Sequence, residues 1–293
     1  MMEKKAMTKQ QFIHRDLQKM HKLLKLTVLE AGKLIEDRMN SPISASVERK
    51  AAFDYVTSVD HECERLIVSR IRKHYPDHAI MAEEKSSIEE KLGDGITWII
   101  DPLDGTTNFI HRFPFVAISA AVAFEGAVVL GIVYDVVRKE LFEAVLGKGA
   151  KVNDQPIRIS QAKSVSQSLL ATGFPFRDRH LLRPYLRTFE KLFLQVSGIR
   201  RSGSAALDLA YVAAGRVDGF WEIGLKPWDI AAGMVLINEA GGIVTDFWGK
   251  EDVLTTGHIV AGSRIIHPLI LKEVQSHLLP HLDALPNPPP RVR

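Results

Sequence analysis

Hydrophobic and polar positions alternate along this chain with two different periods, and the switches between them mark its elements. A loose, Lys-containing leader, Met1–Lys9, gives way to Phe12, Leu17, Met20, Leu23, Leu24, Val28 and Ile35, which share one stripe of a helix. The helical spacing breaks over the polar link Ser41–Arg49 and the residues up to Asp60. Thr57 followed by Asp60 matches a helix-capping pattern, and Leu66, Ile67, Ile71 and Tyr75 carry a second helix to Pro76. Short β-type runs follow at Ala79–Ala82, at Trp98–Ile100 before Pro102, at Val116–Phe124 and Ala127–Tyr134 around a Glu125-Gly126 turn, and at Glu140–Val145. Residues 147–156 read as a loop turning at Asn153-Asp154.

The second half mixes the two periods again. Leu169–Thr172 reads as a strand and Leu182–Val196 as an amphipathic helix with Leu186, Phe189 and Phe193 on its apolar face. A helical run Ala205–Ala214, a strand Phe220–Glu222 and a helix opened by Lys226-Pro227 and closed by Gly241-Gly242 come next. Strands at Ile243–Thr245 and Ile259–Ala261 and a helix after Pro268 complete the set. Strands and helices are interspersed throughout, so the class is α/β (α+β), with layered sheets and helices. A composition shift near Ser160–Ser168 divides the chain into an N-terminal lobe, 10–160, and a C-terminal lobe, 161–280, ahead of a proline-rich tail, 281–293, that reads as disordered.

Composition narrows the picture. With 293 residues, 46% hydrophobic and 25% charged, the chain is an ordinary globular protein rather than a disordered one. A net charge of +3 is too small to argue for nucleic acid, yet it does not repel phosphorylated substrates. One cysteine, Cys63, excludes an internal disulfide and a cysteine-cluster metal site, and its helical position reads as core. No apolar run is long enough for a membrane span, so the expectation is a cytoplasmic protein.

Candidate chemistry gathers where strands end. The run Ala79–Ala82 delivers Glu83 and Glu84 ahead of a polar segment, Lys85–Asp94, that reads as a mobile lid, and the next strand delivers Asp101. Ligands collect at C-terminal strand ends in open sheets, so acids at two successive ends point to one site. Asp101 and Asp104 lie within WIIDPLDGTTNF, where Gly105 admits close backbone approach and a helix starting at Thr106 or Thr107 would turn N–H groups toward an anion. Carboxylates attract cations and amides suit phosphate. Together they point to divalent ions clamped between protein oxygens and a phosphate. Ahead of the helical run Ala205–Ala214, the arginines and small hydroxyls of Arg200-Arg201-Ser202-Gly203-Ser204 would suit a phosphorylated or polyhydroxyl ligand, and Asp229 opens the helix after Lys226-Pro227. These residues also have structural readings: Asp101 and Asp104 as turn formers, Asp229 as a partner of its helix dipole, and Ser204 as a cap.

Three motifs draw these strands together: WIIDPLDGTTNF with HRFPF after it, KPWDIAAGMVLINEAGG, and the Glu83-Glu84 pair. In them, from about Leu23 to Leu278, the chain resembles an inositol monophosphatase of the magnesium-dependent, lithium-sensitive phosphatase superfamily. The stretch RRSGSAALDLAYVAAGRVDGFWEIGL is similar to the bacterial branch. The resemblance implies a five-layer αβαβα sandwich, a homodimer, and metal ligation by Glu83, Asp101, the Leu103 carbonyl, Asp104 and Asp229. It implies that Thr106 positions the attacking water, that phosphate binds near Gly105 and Thr106, and that Asp104, Ala205, Glu222 and Asp229 hold inositol hydroxyls. Lys50, Asp54, Thr57 and Asp60 match a mobile stretch near the metal site, of which Asp60 is carried over as a supporting group. One departure is Ala82, where the family often has glycine.

Physical chemistry agrees with that assignment. Four carboxylates in one pocket cannot all stay ionised without cations, and magnesium prefers hard oxygen ligands. The expected activity is Mg²⁺-dependent hydrolysis of myo-inositol monophosphate, or a related polyol phosphate, by metal-activated water. The rival expectations are a sister phosphatase for fructose bisphosphate or a nucleotide 3′-phosphate, and a transcription antitermination partner with incidental catalysis. Larger substrates call for basic residues near Glu222, where the sequence offers chiefly Lys226; partner contacts would use the leader and Arg179–Arg187.

Overall fold

The computed structural model describes residues 16–41, 47–51, 54–84, 95–162 and 164–283, with the backbone alone for 47–51 and 54–55. Phe12, the leader, the Lys85–Asp94 segment, the tail beyond 283 and the Lys50 and Asp54 side chains therefore lie outside the described residues. The first helix, α1 (Leu17–Asn40), buries Leu17, Met20, Leu24, Val28 and Ile35, the stripe its spacing predicts. Two short strands, β1 (Val47–Ala51) and β2 (Asp54–Thr57), pair antiparallel where the sequence showed no regular element. Helix α2 (Ser58–His74) opens on the predicted capping box. The Thr57 Oγ1 accepts from the Val59 N–H at 3.2 Å, and Asp60 Oδ2 accepts from the Thr57 N–H at 2.9 Å.

A seven-stranded sheet follows in sequence order: β3 (Ala79–Ala82), β4 (Ile96–Asp104), β5 (Ala117–Phe124), β6 (Ala127–Asp135), β7 (Glu140–Val145), β8 (Ala150–Val152) and β9 (Gln155–Ile157). Only β3 and β4 pair parallel, so Glu83 and Asp101 leave adjacent strands in the same direction. Strand β4 does not stop at Pro102. It continues to Asp104 through a bulge between Asp101 and Asp104, which takes Pro102 because a bulge tolerates a missing N–H. A short helix, α3 (Thr106–Ile110), comes straight after. The stretch read as a loop over 147–156 folds back as β8 and β9, with Asn153 and Asp154 both at positive φ in the turn between them.

The second sheet has five strands in the order β11-β10-β12-β14-β13, drawn from β10 (Leu169–Thr172), β11 (Gly198–Arg200), β12 (Gly219–Glu222), β13 (Ile243–Thr245) and β14 (Ile259–Gly262). Helices α4 (Leu182–Phe193), α5 (Ala205–Ala213), α6 (Pro227–Glu239), α7 (Val253–Thr256), α8 (Ile266–His277) and α9 (Leu279–Asp283) connect and cover it. Five layers result, αβαβα. Helices α1 and α2 pack on one face of the seven-stranded sheet, α5 and α6 fill the space between the sheets, and α4 and α8 close the far face.

Helix α6 buries residues on all sides, which suits the middle layer. Its approach to β6 depends on Gly131, where a Cβ would stand 2.7 Å from the Ala232 carbonyl oxygen. The apolar face of α4 is turned from the one expected. Tyr185, Thr188 and Leu192 are buried, whereas Leu186 and Phe193 are 45% and 55% exposed. Tyr185 decides this, because its ring stacks on Trp221 and its hydroxyl pairs with Thr172 Oγ1 at 2.8 Å. An amphipathic tyrosine thus outweighs two plain hydrophobes.

Candidate active site

The sheets place their acids around one cleft, lined by Glu83, Asp101, Leu103, Asp104, Gly105, Thr106, Ala205, Glu222 and Asp229 among others. Every residue expected to ligate metal, phosphate or alcohol is brought to it. Glu83 follows β3, Asp101 and Asp104 stand on either side of the β4 bulge, and Asp229 lies in the first turn of α6. The two sources are locked together where Ser119 Oγ on β5, opposite Asp101, donates to the Trp228 carbonyl at 2.9 Å.

Three of the carboxylates are anchored through one oxygen each. Asp101 Oδ1 accepts from the Leu103 N–H at 3.0 Å, and Asp229 Oδ2 from the Lys226 N–H at 2.7 Å. Asp104 Oδ2 accepts from Ser204 Oγ at 2.6 Å and from the Ala206 N–H at 2.8 Å, while Ser204 Oγ also caps α5 through the Leu207 N–H at 3.3 Å. The cap and the site therefore share one serine. Gly105 must be glycine: its φ is +93°, and a Cβ there would stand 2.9 Å from the Phe115 carbonyl oxygen. Ala82 ends β3 without a positive φ, so the departure from the family's glycine costs nothing.

Asp60 joins the site as well. Its Oδ1 accepts from Thr106 Oγ1 at 2.9 Å, a hydroxyl also 3.1 Å from the Leu103 carbonyl. The Thr57 cap and the Thr106 hydroxyl thus share one buried carboxylate.

Charge in the cleft is crowded. Burial first, then repulsion from Glu83, Asp104 and Asp229, holds the Asp101 carboxyl well above the ordinary range. Burial, then Asp104 and Glu83, does the same to Asp229. Asp104 is pushed up to about 6 by burial, against the Ser204 and Ala206 hydrogen bonds. Among the described residues no three such side chains already converge on one point as a finished ion cage. Magnesium does not require that, since it retains waters and takes one or two carboxylates plus substrate oxygens. An all-oxygen donor set whose ionisation is opposed by burial and mutual repulsion is what a hard cation relieves, so the residues present fit that group.

Several cleft residues escaped the sequence reading. Asp208 is buried and lines the cleft, its carboxyl held well above the usual range by burial. The signal for it was a lone charge in an otherwise apolar helical run. Arg177 also lines the cleft unforeseen. Arg201 and Ser204, read as suited to a phosphorylated ligand, do line it, whereas Lys226, expected near Glu222, does not. Cys63 is fully buried in the α1–α2 layer, with its thiol pushed up by burial, as a core residue should be.

An αβαβα sandwich with an acidic cleft at its strand ends is the architecture of a phosphatase superfamily. The inositol monophosphatase family model matches residues 16–279, and the chain belongs to that family. It is 46% identical to the Nus factor SuhB of Escherichia coli over 91% of this chain and 99% of that protein. Among solved structures, the extragenic suppressor protein SuhB of Bartonella henselae shares 36% identity with a TM-score of 0.84, covering 89% of this chain and all of that one. An inositol monophosphatase from Anabaena aligns with a TM-score of 0.79 at 36% identity, over 90% and 99% of the two chains. No helix among the described residues is long and apolar enough to cross a membrane.

Proposed function

We propose that the protein is a Mg²⁺-dependent phosphatase that hydrolyses myo-inositol monophosphate or a closely related polyol phosphate. The observation that carries this is the meeting of Glu83, Asp101, Asp104 and Asp229 in one cleft with Thr106 and Glu222. Glu83, Asp101, the Leu103 carbonyl, Asp104 and Asp229 are the groups that would hold magnesium. When bound, magnesium supplies the positive charge that keeps these acids ionised together and stabilises charge developing on the phosphoryl group and the departing oxygen.

The chain's own residues do the positioning. Thr106 Oγ1 donates its hydrogen to Asp60 Oδ1, which leaves its lone pair to accept a hydrogen from the attacking water and fix that water's orientation. Burial raises the Asp60 carboxyl above the ordinary range, a direction that strengthens it as the ultimate proton acceptor. Gly105 lets the phosphate come close to the backbone at the start of α3. As water oxygen bonds to phosphorus, its proton passes toward Asp60, the bond from phosphorus to the alcohol oxygen breaks, and the departing oxygen takes a proton from solvent water, to which Asp60 later returns its own. Ala205, Glu222, Asp104 and Asp229, which line the cleft, are the groups that would meet the alcohol's hydroxyls. Lithium inhibition, a homodimer and a cytoplasmic setting belong to the same reading.

Phosphate release across a panel of monoesters, with and without magnesium, tests it. Asp101→Asn should lower turnover by ~10²–10³-fold or more with unchanged circular dichroism. Magnesium-dependent activity preserved in that variant would defeat the assignment. A second reading, a role in a transcription complex, draws on the name Nus factor carried by the E. coli relative. Pull-down with the Asp101→Asn protein separates it from catalysis, because partners should still be retained.

A further inference from the structure

Two loops that line the cleft come from different sheets and pack against each other. One is the turn of Gly105 and Thr106 after β4, and the other holds Gly203 and Ser204, which lead from β11 into α5. A Cβ on Gly105 would stand 2.9 Å from the Phe115 carbonyl oxygen and 3.4 Å from that of Gly203. Gly203 is itself at a φ of +93°, so both backbones reach this contact through glycine. In the phosphatase reading the first loop meets the phosphate, and the second, with Ala205 at its end, meets the alcohol. The distance between them then has to match the length of one ester.

Asn108 spans that junction. It lies in α3 and lines the cleft, and its Nδ2 donates to the Phe115 carbonyl at 2.8 Å and to the Ser202 carbonyl at 3.0 Å. Two carbonyl acceptors leave no choice of amide orientation, because an oxygen turned toward them would repel both. Both amide hydrogens are thereby spent on backbone, one on each side of the contact. The side chain also fills the space beside Gly203, where a Cβ would come within 2.9 Å of Nδ2 and 3.0 Å of Oδ1. Asp104 makes a second tie, to Ser204 and Ala206, but it is an ionisable group that a cation would also engage. The amide is neutral, so its tie holds whatever charge the cleft carries.

Resting on the phosphatase reading, we propose that Asn108 is a positioning residue that sets the spacing between the phosphate end and the alcohol end of the cleft. It thereby favours esters whose alcohol is held by the second loop over aryl esters held at the phosphate end alone. Asn108 acts through the two loops and not on the reacting atoms. A small displacement of one loop is felt by a substrate gripped at both ends and not by one gripped at a single end.

Asn108→Ala removes both hydrogen bonds, and Asn108→Asp keeps the shape while setting a carboxylate oxygen against the two carbonyls. Each full-length variant is compared with wild type on myo-inositol 1-phosphate and on p-nitrophenyl phosphate with magnesium, and with inorganic phosphate as inhibitor. KM for the inositol ester should rise about tenfold, while kcat/KM for the aryl ester and inhibition by phosphate stay within about twofold. Equal losses on both esters, or weakened inhibition by phosphate, would show that Asn108 only props up the phosphate loop and would overturn the proposal, as would an unaltered KM. Hydrogen exchange of the metal-free chain, read by mass spectrometry over residues 202–207, judges the tie without catalysis. It should quicken about threefold or more in both variants, with α1 and α2 unchanged, and an unchanged rate at 202–207 overturns the tie. Absence of magnesium-dependent release from either ester by wild type counts against the phosphatase reading instead, and the exchange rate then decides on Asn108 by itself.

Discussion

Replacing Glu222 with glutamine should make the metal-free protein more stable while making it a poorer catalyst. The Glu222 carboxyl is pushed from 4.5 up to about 8, first by burial, with Asp208 and Asp104 adding and Arg201 and Arg177 opposing. In the unfolded chain the group ionises near 4.5, so between that pH and 8 the unfolded state gains from ionising and the folded state does not. The fold therefore holds its full stability below pH 4.5 and loses it progressively as pH rises toward 8. At about 1.36 kcal/mol per pH unit, the loss accumulated by pH 7 is about 3 kcal/mol. Glutamine has the same shape and cannot ionise, so Glu222→Gln should recover that amount at pH 7 and nothing at pH 4.5. Urea unfolding with a chelator present, at both pH values, measures the difference directly. A gain below about 1 kcal/mol at pH 7, or the same gain at both pH values, would refute the reasoning. Activity toward an inositol monophosphate should fall in the same variant, the usual exchange of stability for a functional buried acid.

Other substitutions probe the site's packing. A Cβ at Gly173 would overlap the Glu222 carboxyl, so Gly173→Ala should raise KM for a polyol phosphate about tenfold, with kcat for p-nitrophenyl phosphate little changed; adding Glu222→Asp should restore the KM, and an unaltered KM in the single variant would dismiss the contact. Gly105→Ala, forced to φ +93° against the Phe115 carbonyl, should cost about 1–3 kcal/mol in chemical denaturation, and equal stability would contradict the strain. His258 is held down to about 4 by burial, with Nδ1 accepting from the Gly224 N–H at 3.1 Å. Because the unfolded chain takes up that proton near 6.5, stability should fall by up to about 3 kcal/mol between pH 6.5 and 4 in wild type, and the slope should flatten in His258→Gln; an unchanged slope would exclude the histidine as its source.

Much of the architecture was legible because it rests on periodicity. The α1 stripe, the Thr57–Asp60 cap, the Glu125-Gly126 hairpin and the Pro227-to-Gly241 limits of α6 all follow local rules, and all stand in the structure. The failures have a common cause. Strands β8, β9 and β11 are three residues each and, unlike the equally short β13, carry no β-branched apolar run, and β1–β2 form where no apolar face marks them. The face of α4 is set by Tyr185 meeting Thr172 and Trp221, partners remote in sequence. In the cleft, residues such as Asp101, Asp229 and Arg201 were recognisable from their local setting, whereas Arg177 owes its position to the parallel order of β11, β10 and β12. Strand order is a property of the assembled sheet, and no local pattern records it.

The hydrogen bond from Ser119 to the Trp228 carbonyl also bears on how the enzyme is made. A ribosome adding ~5–20 residues each second delivers Asp229 several seconds after Asp104. Until α6 emerges and docks, the nascent chain carries Glu83, Asp101 and Asp104 without Asp229, and without the second of the two helices that lie between the sheets. A chain released early can therefore present three acids but not the complete cleft. The cleft is completed late in synthesis, with the same element that completes the middle of the sandwich.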